Sequence, residues 1–147
     1  MKPLFVLLTV LSSFFANKSF ATETLSNEAA VRSFNQTFIN AADVKWSVVS
    51  TMYRAEFNLN GQYASAYFNE DGTLMAVTRN ISTFQLPITL QVELKKDYAD
   101  YWVTELFEVS ANGGTQYYVT LETATQKTVL KAYPGSQWSK YNKSRKI

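Results

Sequence analysis

The sequence has no cysteine and no histidine, and only three prolines and five glycines in 147 residues. Without cysteine there is no disulfide, no thiolate metal ligand and no redox-active thiol. Without histidine there is no imidazole zinc ligand and no side chain whose ordinary pKa lies near neutrality. Together the two absences remove the Ser-His-Asp and Cys-His nucleophile systems. A glycine-rich phosphate loop is also missing. No metal and no cofactor is therefore expected. The acid–base chemistry left is that of paired carboxylates, of the kind that cleaves glycosidic bonds.

Long hydrophobic runs are scarce, with one exception. Residues 4–15 read LFVLLTVLSSFF behind Lys2, and Ser19-Phe20-Ala21 then places small residues three before and one before a cut. This is the three-part secretory leader. The run is too short for a bilayer span, which needs roughly 20 apolar residues. With no cysteine after it, lipid attachment is excluded. The expectation is a signal peptide over 1–21, cleaved near Ala21/Thr22. The product is then periplasmic or extracellular, has no membrane span, and forms a single domain over 22–147. An exported chain without disulfides must hold itself by packing alone, and the nine Tyr, ten Phe and three Trp supply the area for that.

An excess of one charge is missing too. The full chain is formally +2, but Lys2 and Lys18 leave with the leader, and the remaining basic and acidic side chains then balance. Nothing directs it to nucleic acid. Lys140, Lys143, Arg145 and Lys146 cluster at the C-terminus and read as a frayed, solvated end.

What is present is periodicity. Ser26 or Asn27 can cap a helix, Glu28 favours its first turn, and Val31, Phe34, Phe38 and Ile39 form one apolar face, so a helix is predicted over 28–40. From Val44 the period becomes two. Val44, Trp46 and Val48 alternate with polar residues, as do Tyr53, Ala55, Phe57 and Leu59. Asn60-Gly61 is a two-residue hairpin turn signal. It predicts the pairs Leu59/Gln62, Phe57/Ala64, Ala55/Ala66 and Tyr53/Phe68. Asn69-Glu70-Asp71-Gly72 is a second turn, leading to a strand over 73–78.

The order then repeats. Leu86-Pro87 opens a segment over 88–98 whose apolar residues fit a helix as two sets four apart, Ile88/Val92 and Leu90/Leu94/Tyr98, and also alternate as in a strand. Pro87 and the sequence Glu93-Leu94-Lys95-Lys96-Asp97 favour the helix. Strands are predicted at 101–109, 116–122 and 127–133, with a short last strand after Pro134-Gly135. The fold class is α+β: two tandem helix-plus-meander repeats, about 28–80 and 86–140, sharing one antiparallel sheet with helices on one face.

No carboxylate pair stands out. Glu70-Asp71 belongs to a turn, Glu105 and Glu108 face opposite ways on a strand, and Asp97 and Asp100 sit at a helix end. The alternative to catalysis is an aromatic surface. The predicted hairpin register puts Arg54, Glu56 and Asn58 beside Tyr63, Ser65 and Tyr67 on the face away from the helix, with Trp102 and Tyr118 facing the same way in the second half. Arg54, Tyr63, Tyr67, Trp102 and Tyr118 are thus the candidate partner-binding residues, since Tyr and Trp bury much area at low entropy cost. The competing reading is that these rings pack with each other across strands or cover a bend.

Several segments resemble a known family. They are Ala42-Asp43-Val44-Lys45-Trp46, Tyr53-Arg54-Ala55-Glu56-Phe57, Asn60-Gly61, Ala66-Tyr67-Phe68-Asn69-Glu70-Asp71-Gly72-Thr73-Leu74, Leu86-Pro87 and Tyr117-Tyr118-Val119-Thr120-Leu121. Over roughly 28–135 the chain resembles the PepSY-like, β-lactamase-inhibitor-like family of small secreted bacterial proteins. Tyr133-Pro134-Gly135 departs from the pattern, where a fuller aspartate–glycine turn is usual. The resemblance implies a helix-plus-meander unit used twice and a non-enzymatic binder of an exported protein or peptide. The inhibitor or regulator role that the resemblance implies is against an exported hydrolase of peptidase or β-lactamase type. The family's namesake grips an enzyme with its open sheet face. No residue-level inhibitory motif carries over to this chain. An envelope protein without a specific partner and a carboxylate-based enzyme are the alternatives.

Overall fold

The computed structural model describes residues 26–145. The leader assigned to 1–21 and Lys146 lie outside the described residues. Eight strands follow in chain order, β1 to β8, in one antiparallel eight-stranded sheet, and each of two helices precedes its own set of strands. The chain divides into two compact units, the first running to Val77 and the second starting at Thr78.

In the first unit, helix α1 (Glu28–Thr37) precedes β1 (Ala42–Val49), β2 (Met52–Leu59), β3 (Gln62–Phe68) and the first residues of β4 (Leu74–Asn80). Asn27 is the cap. Its side-chain oxygen accepts from the N–H groups of Ala29 at 2.8 Å and Ala30 at 3.3 Å, satisfying two of the orphan donors at the helix start. Ala30 and Phe34 face the sheet and are buried against Ala55, Phe57, Ala66 and Phe68. The cross-strand row Trp46–Ala55–Ala66 explains the fit. Its two alanines leave a hollow in the sheet surface, and the Phe34 ring lies edge-on to Phe57 at 5.0 Å and to Trp46 at 5.6 Å. Ile39, expected on this apolar face, is exposed, because the helix ends at Thr37 and Asn40 turns the chain away with φ +67°.

Asn60 and Gly61 both adopt positive φ, and the β2–β3 register follows from that turn: Leu59 pairs with Gln62 and Tyr53 with Phe68. The second turn docks on the helix start. Asn27 Nδ2 donates to the Glu70 carbonyl at 3.1 Å, and Gly72 packs against Ala29.

In the second unit, a 3-10 turn over Thr83–Gln85, absent from the sequence reading, precedes α2 (Ile88–Asp97). Pro87 occupies the cap position rather than the first turn. The helical alternative for 88–98 is the one realised. Leu90 and Leu94 are buried and Tyr98 packs beside them, while Ile88 and Val92 point to solvent. Strands β5 (Trp102–Ala111), β6 (Gly114–Glu122), β7 (Gln126–Ala132) and β8 (Ser139–Arg145) complete the meander. Leu106, Val119 and Leu130 form one cross-strand row beneath α2.

The short last strand expected after Pro134-Gly135 is β8, and it runs on through the basic end expected to fray, pairing with β7 from Lys131/Ser139 to Gln126/Arg145. Trp138 fixes its entry. The Trp138 backbone N–H donates to both Glu93 carboxylate oxygens at 3.1 Å, and its indole Nε1 donates to the Leu90 carbonyl at 3.1 Å. A hairpin closed by Tyr133-Pro134-Gly135 is therefore anchored to the helix rather than held by its turn alone. Among the described residues, no helix is long and apolar enough to cross a membrane.

Candidate functional site

Each unit has a helix-covered face and an opposite face, and the registers assign residues to them. In the first unit Arg54 pairs with Tyr67, Glu56 with Ser65, and Asn58 with Tyr63 on the face away from α1. Tyr63, beside the hairpin turn, is 69 % exposed. Tyr67 is 0 % exposed, which removes it from any contact surface. Strand alternation decides which side of a sheet a residue takes, not whether that patch is covered. Met52, on the same face at the same end of the hairpin, is buried too. Arg54 is largely covered and already engaged. Its Nε donates to Ser47 Oγ at 3.1 Å, and its Nη2 lies 3.5 Å from the Glu56 carboxylate.

In the second unit the pairs on the face away from α2 are Trp102/Glu122, Glu105/Thr120, Phe107/Tyr118 and Val109/Gln116. Tyr118 is 2 % exposed rather than open. Phe107 stacks on it at 5.3 Å, Tyr141 meets it edge-on at 5.5 Å, and its hydroxyl donates to Gln116 Oε1 at 2.8 Å. Burial, with smaller contributions from Tyr141 and Tyr133, pushes its pKa up to about 12. Val109, Gln116 and Thr120 are buried on the same face. The bare face anticipated from the sequence thus carries a packed layer of its own, and the cross-strand packing reading holds at Tyr118. Trp102, at the start of β5, stays 64 % exposed.

A β-bulge interrupts β5 between Val103 and Glu105, and nothing in the local sequence marks it. Glu105 accepts from Thr120 Oγ1 at 3.2 Å, and Glu122 accepts from Thr104 Oγ1 at 3.2 Å. Glu108 faces the helix side, as strand alternation requires. It binds Arg79, Nε to Oε1, at 2.9 Å, and this contact raises the guanidinium pKa. Glu122 lies 3.4 Å from Lys127. No group of three or more His, Cys, Asp or Glu among the described residues could hold a metal ion. A groove of about 410 Å³ opens beside α2, with Leu94 and Leu121 in its lining beside Phe84, Tyr98 and Tyr101. Lys95 is its charged residue, so it offers an apolar slot and no acid–base pair.

The order of elements, helix then meander and helix then meander in one antiparallel sheet, has counterparts among solved structures. A BLIP-like protein from Bacteroides fragilis superposes with a TM-score of 0.70 at 17 % identity, over 82 % of this chain and 86 % of that one. The fold is BLIP-like. Two further chains with the same layout come from the same genus. A candidate periplasmic protein from Bacteroides eggerthii gives a TM-score of 0.74 at 13 % identity, over 82 % of this chain and 89 % of that one. A DUF2874 family protein from Bacteroides ovatus gives 0.73 at 18 % identity, over 82 % and 88 %. At these identities the BLIP-like likeness is one of fold. No protein-family model matches this chain, and no curated protein matches it.

Proposed function

We propose that this protein is an exported, non-enzymatic binding protein that docks a partner of the cell envelope through sheet residues on the faces away from its helices. The exposure of Trp102 carries this reading. On a face where Val109, Tyr118 and Thr120 are all packed, one large indole is left in solvent. Tyr63 is the corresponding open ring in the first unit. Tryptophan and tyrosine are the residues that most often dominate binding energy at protein interfaces.

The chemistry of the chain supports a binder over an enzyme. It has no histidine or cysteine, and Glu56, Glu108 and Glu122 are each tied to a basic side chain. The leader over 1–21 would deliver it to the periplasm or the medium, and the BLIP-like fold supports an exported hydrolase as the partner class. The test is affinity capture from envelope extract by the chain over 22–147, followed by titration of the purified captured protein. Trp102→Ala should weaken binding by about 30-fold or more, the loss typical of a central aromatic anchor. Far-UV circular dichroism should stay unchanged. If no captured protein distinguishes Trp102→Ala and Tyr63→Ala from the parent, the reading is wrong and a protein without a specific partner takes its place.

A further inference from the structure

The geometry points to a cation subsite on the second unit, formed by the Trp102 indole and the Glu105 carboxylate, which takes an arginine or lysine side chain of the partner. This inference rests on the binding reading above and gives the partner its chemistry.

The bulge makes the subsite. In a regular strand, residues 102 and 105 point to opposite faces. Here Trp102 pairs with Glu122, Val103 pairs with Leu121, and the next pair is Glu105 with Thr120, so Thr104 is the extra residue. Glu122 and Thr120 are two apart on β6 and share a face. The bulge therefore brings Trp102 and Glu105 onto that face too, in neighbouring cross-strand rows. Rows on one face of a sheet lie about 7 Å apart, a gap one guanidinium can bridge. Bulges commonly re-aim side chains in this way beside functional sites. Thr104 is tied down: its hydroxyl donates to the Thr120 carbonyl at 3.4 Å and to Glu122 Oε1 at 3.2 Å.

Charge then selects the occupant. Glu122 has Lys127 at 3.4 Å. Glu105 is exposed, and the Thr120 hydroxyl holds one of its oxygens. Among the described residues no lysine or arginine forms an ion pair with it. The Glu105 carboxylate thus stands beside an exposed indole. A cation gains from both groups at once, by stacking over the ring and by hydrogen bonding to the carboxylate, and a guanidinium is flat enough to do both. An acidic partner group would be repelled, and a purely apolar one would leave the carboxylate to be desolvated without compensation.

The test uses the chain over 22–147 and two small probes. The Trp102 indole N–H resonance, assigned with Trp102→Phe, is followed by NMR while N-acetyl-argininamide or the neutral N-acetyl-norleucinamide is added. The arginine probe should shift the Trp102 signal saturably and leave those of Trp46 and Trp138 in place. Glu105→Gln should weaken that binding about fivefold, the scale of one exposed charge pair. Raising salt should weaken it in the parent as well. Equal shifts from both probes, or no effect of Glu105→Gln and salt, would overturn the cation subsite. Capture that depends on Trp102 alongside an unselective arginine titration would leave the binder standing and remove only the subsite. A selective titration with no captured partner would do the reverse.

Discussion

Gly72 closes the turn between β3 and β4 where that turn touches helix α1, and its replacement by alanine isolates one packing contact. A Cβ placed on Gly72 would lie 2.6 Å from both the carbonyl carbon and the oxygen of Ala29, and 3.0 Å from its Cβ. Those are backbone atoms of the first helical turn, whose N–H groups are held by Asn27. They cannot swing aside as a flexible side chain would. Gly72 also has φ +79°, so alanine there carries the left-handed penalty of about 1–2 kcal/mol. Gly61 supplies the control. It has φ +85°, yet an added Cβ there meets nothing within 4 Å. Gly61→Ala should cost about 1–2 kcal/mol from backbone strain alone. Gly72→Ala should cost about 2–5 kcal/mol, since forcing the helix start off the turn adds an overpacking term of about 1–3 kcal/mol. Urea unfolding followed by tryptophan fluorescence and by circular dichroism measures both. If the two variants lose the same stability, the turn does not press on α1.

Two further outcomes follow from buried rings. Phe34→Ala empties the hollow formed by Ala55 and Ala66 and should cost about 3–5 kcal/mol in the same unfolding assay, whereas Ile39→Ala, at an exposed site past the helix end, should change stability by less than about 0.5 kcal/mol. Tyr118 titrates about two units higher when folded than the ordinary tyrosine value, so the folded state holds its proton more tightly than the unfolded state does. That stability is intact below pH 10 and is lost as pH rises from 10 to 12, up to roughly 3 kcal/mol. In parallel urea titrations at pH 9 and 11.5, Tyr118→Phe should show a smaller fall than the parent; an equal fall would place the alkaline loss elsewhere.

The parts of the fold readable in the sequence were those fixed by local backbone chemistry. Asn60-Gly61 imposes positive φ on two residues, and the whole β2–β3 register follows from that turn. Pro87 and composition favour a helix over 88–98, and the buried Leu90 and Leu94 agree with it. The parts that stayed hidden depend on contacts distant in sequence. Alternation put Tyr67 and Tyr118 on the correct side of their strands but could not report that both are covered. For Tyr118 the cover comes from Phe107 on β5 and Tyr141 on β8, and β8 extends the expected short last strand through the basic residues expected to fray. The signal for that longer strand is Trp138, a large ring just after Pro134-Gly135 that needs a buried partner. The bulge at Thr104 has no composition mark at all, so Trp102 and Glu105 could not be placed together from spacing. Spacing alone sends them to opposite faces.

The three tryptophans differ in what each contributes to the fold. Trp46 packs its ring against Phe34 and Phe68, and Trp138 is buried with its indole N–H satisfied by the Leu90 carbonyl. Both earn their place in a chain that has no disulfide to hold it. Trp102 contributes no comparable burial, and on the folded chain alone its removal should be close to neutral. An exposed indole on a strand is also an aggregation liability that a polar residue would avoid. The proposed partner surface gives such a residue a use that the isolated fold does not. Trp102→Ala therefore separates the two roles: unfolding free energy unchanged within about 0.5 kcal/mol, and partner binding lost.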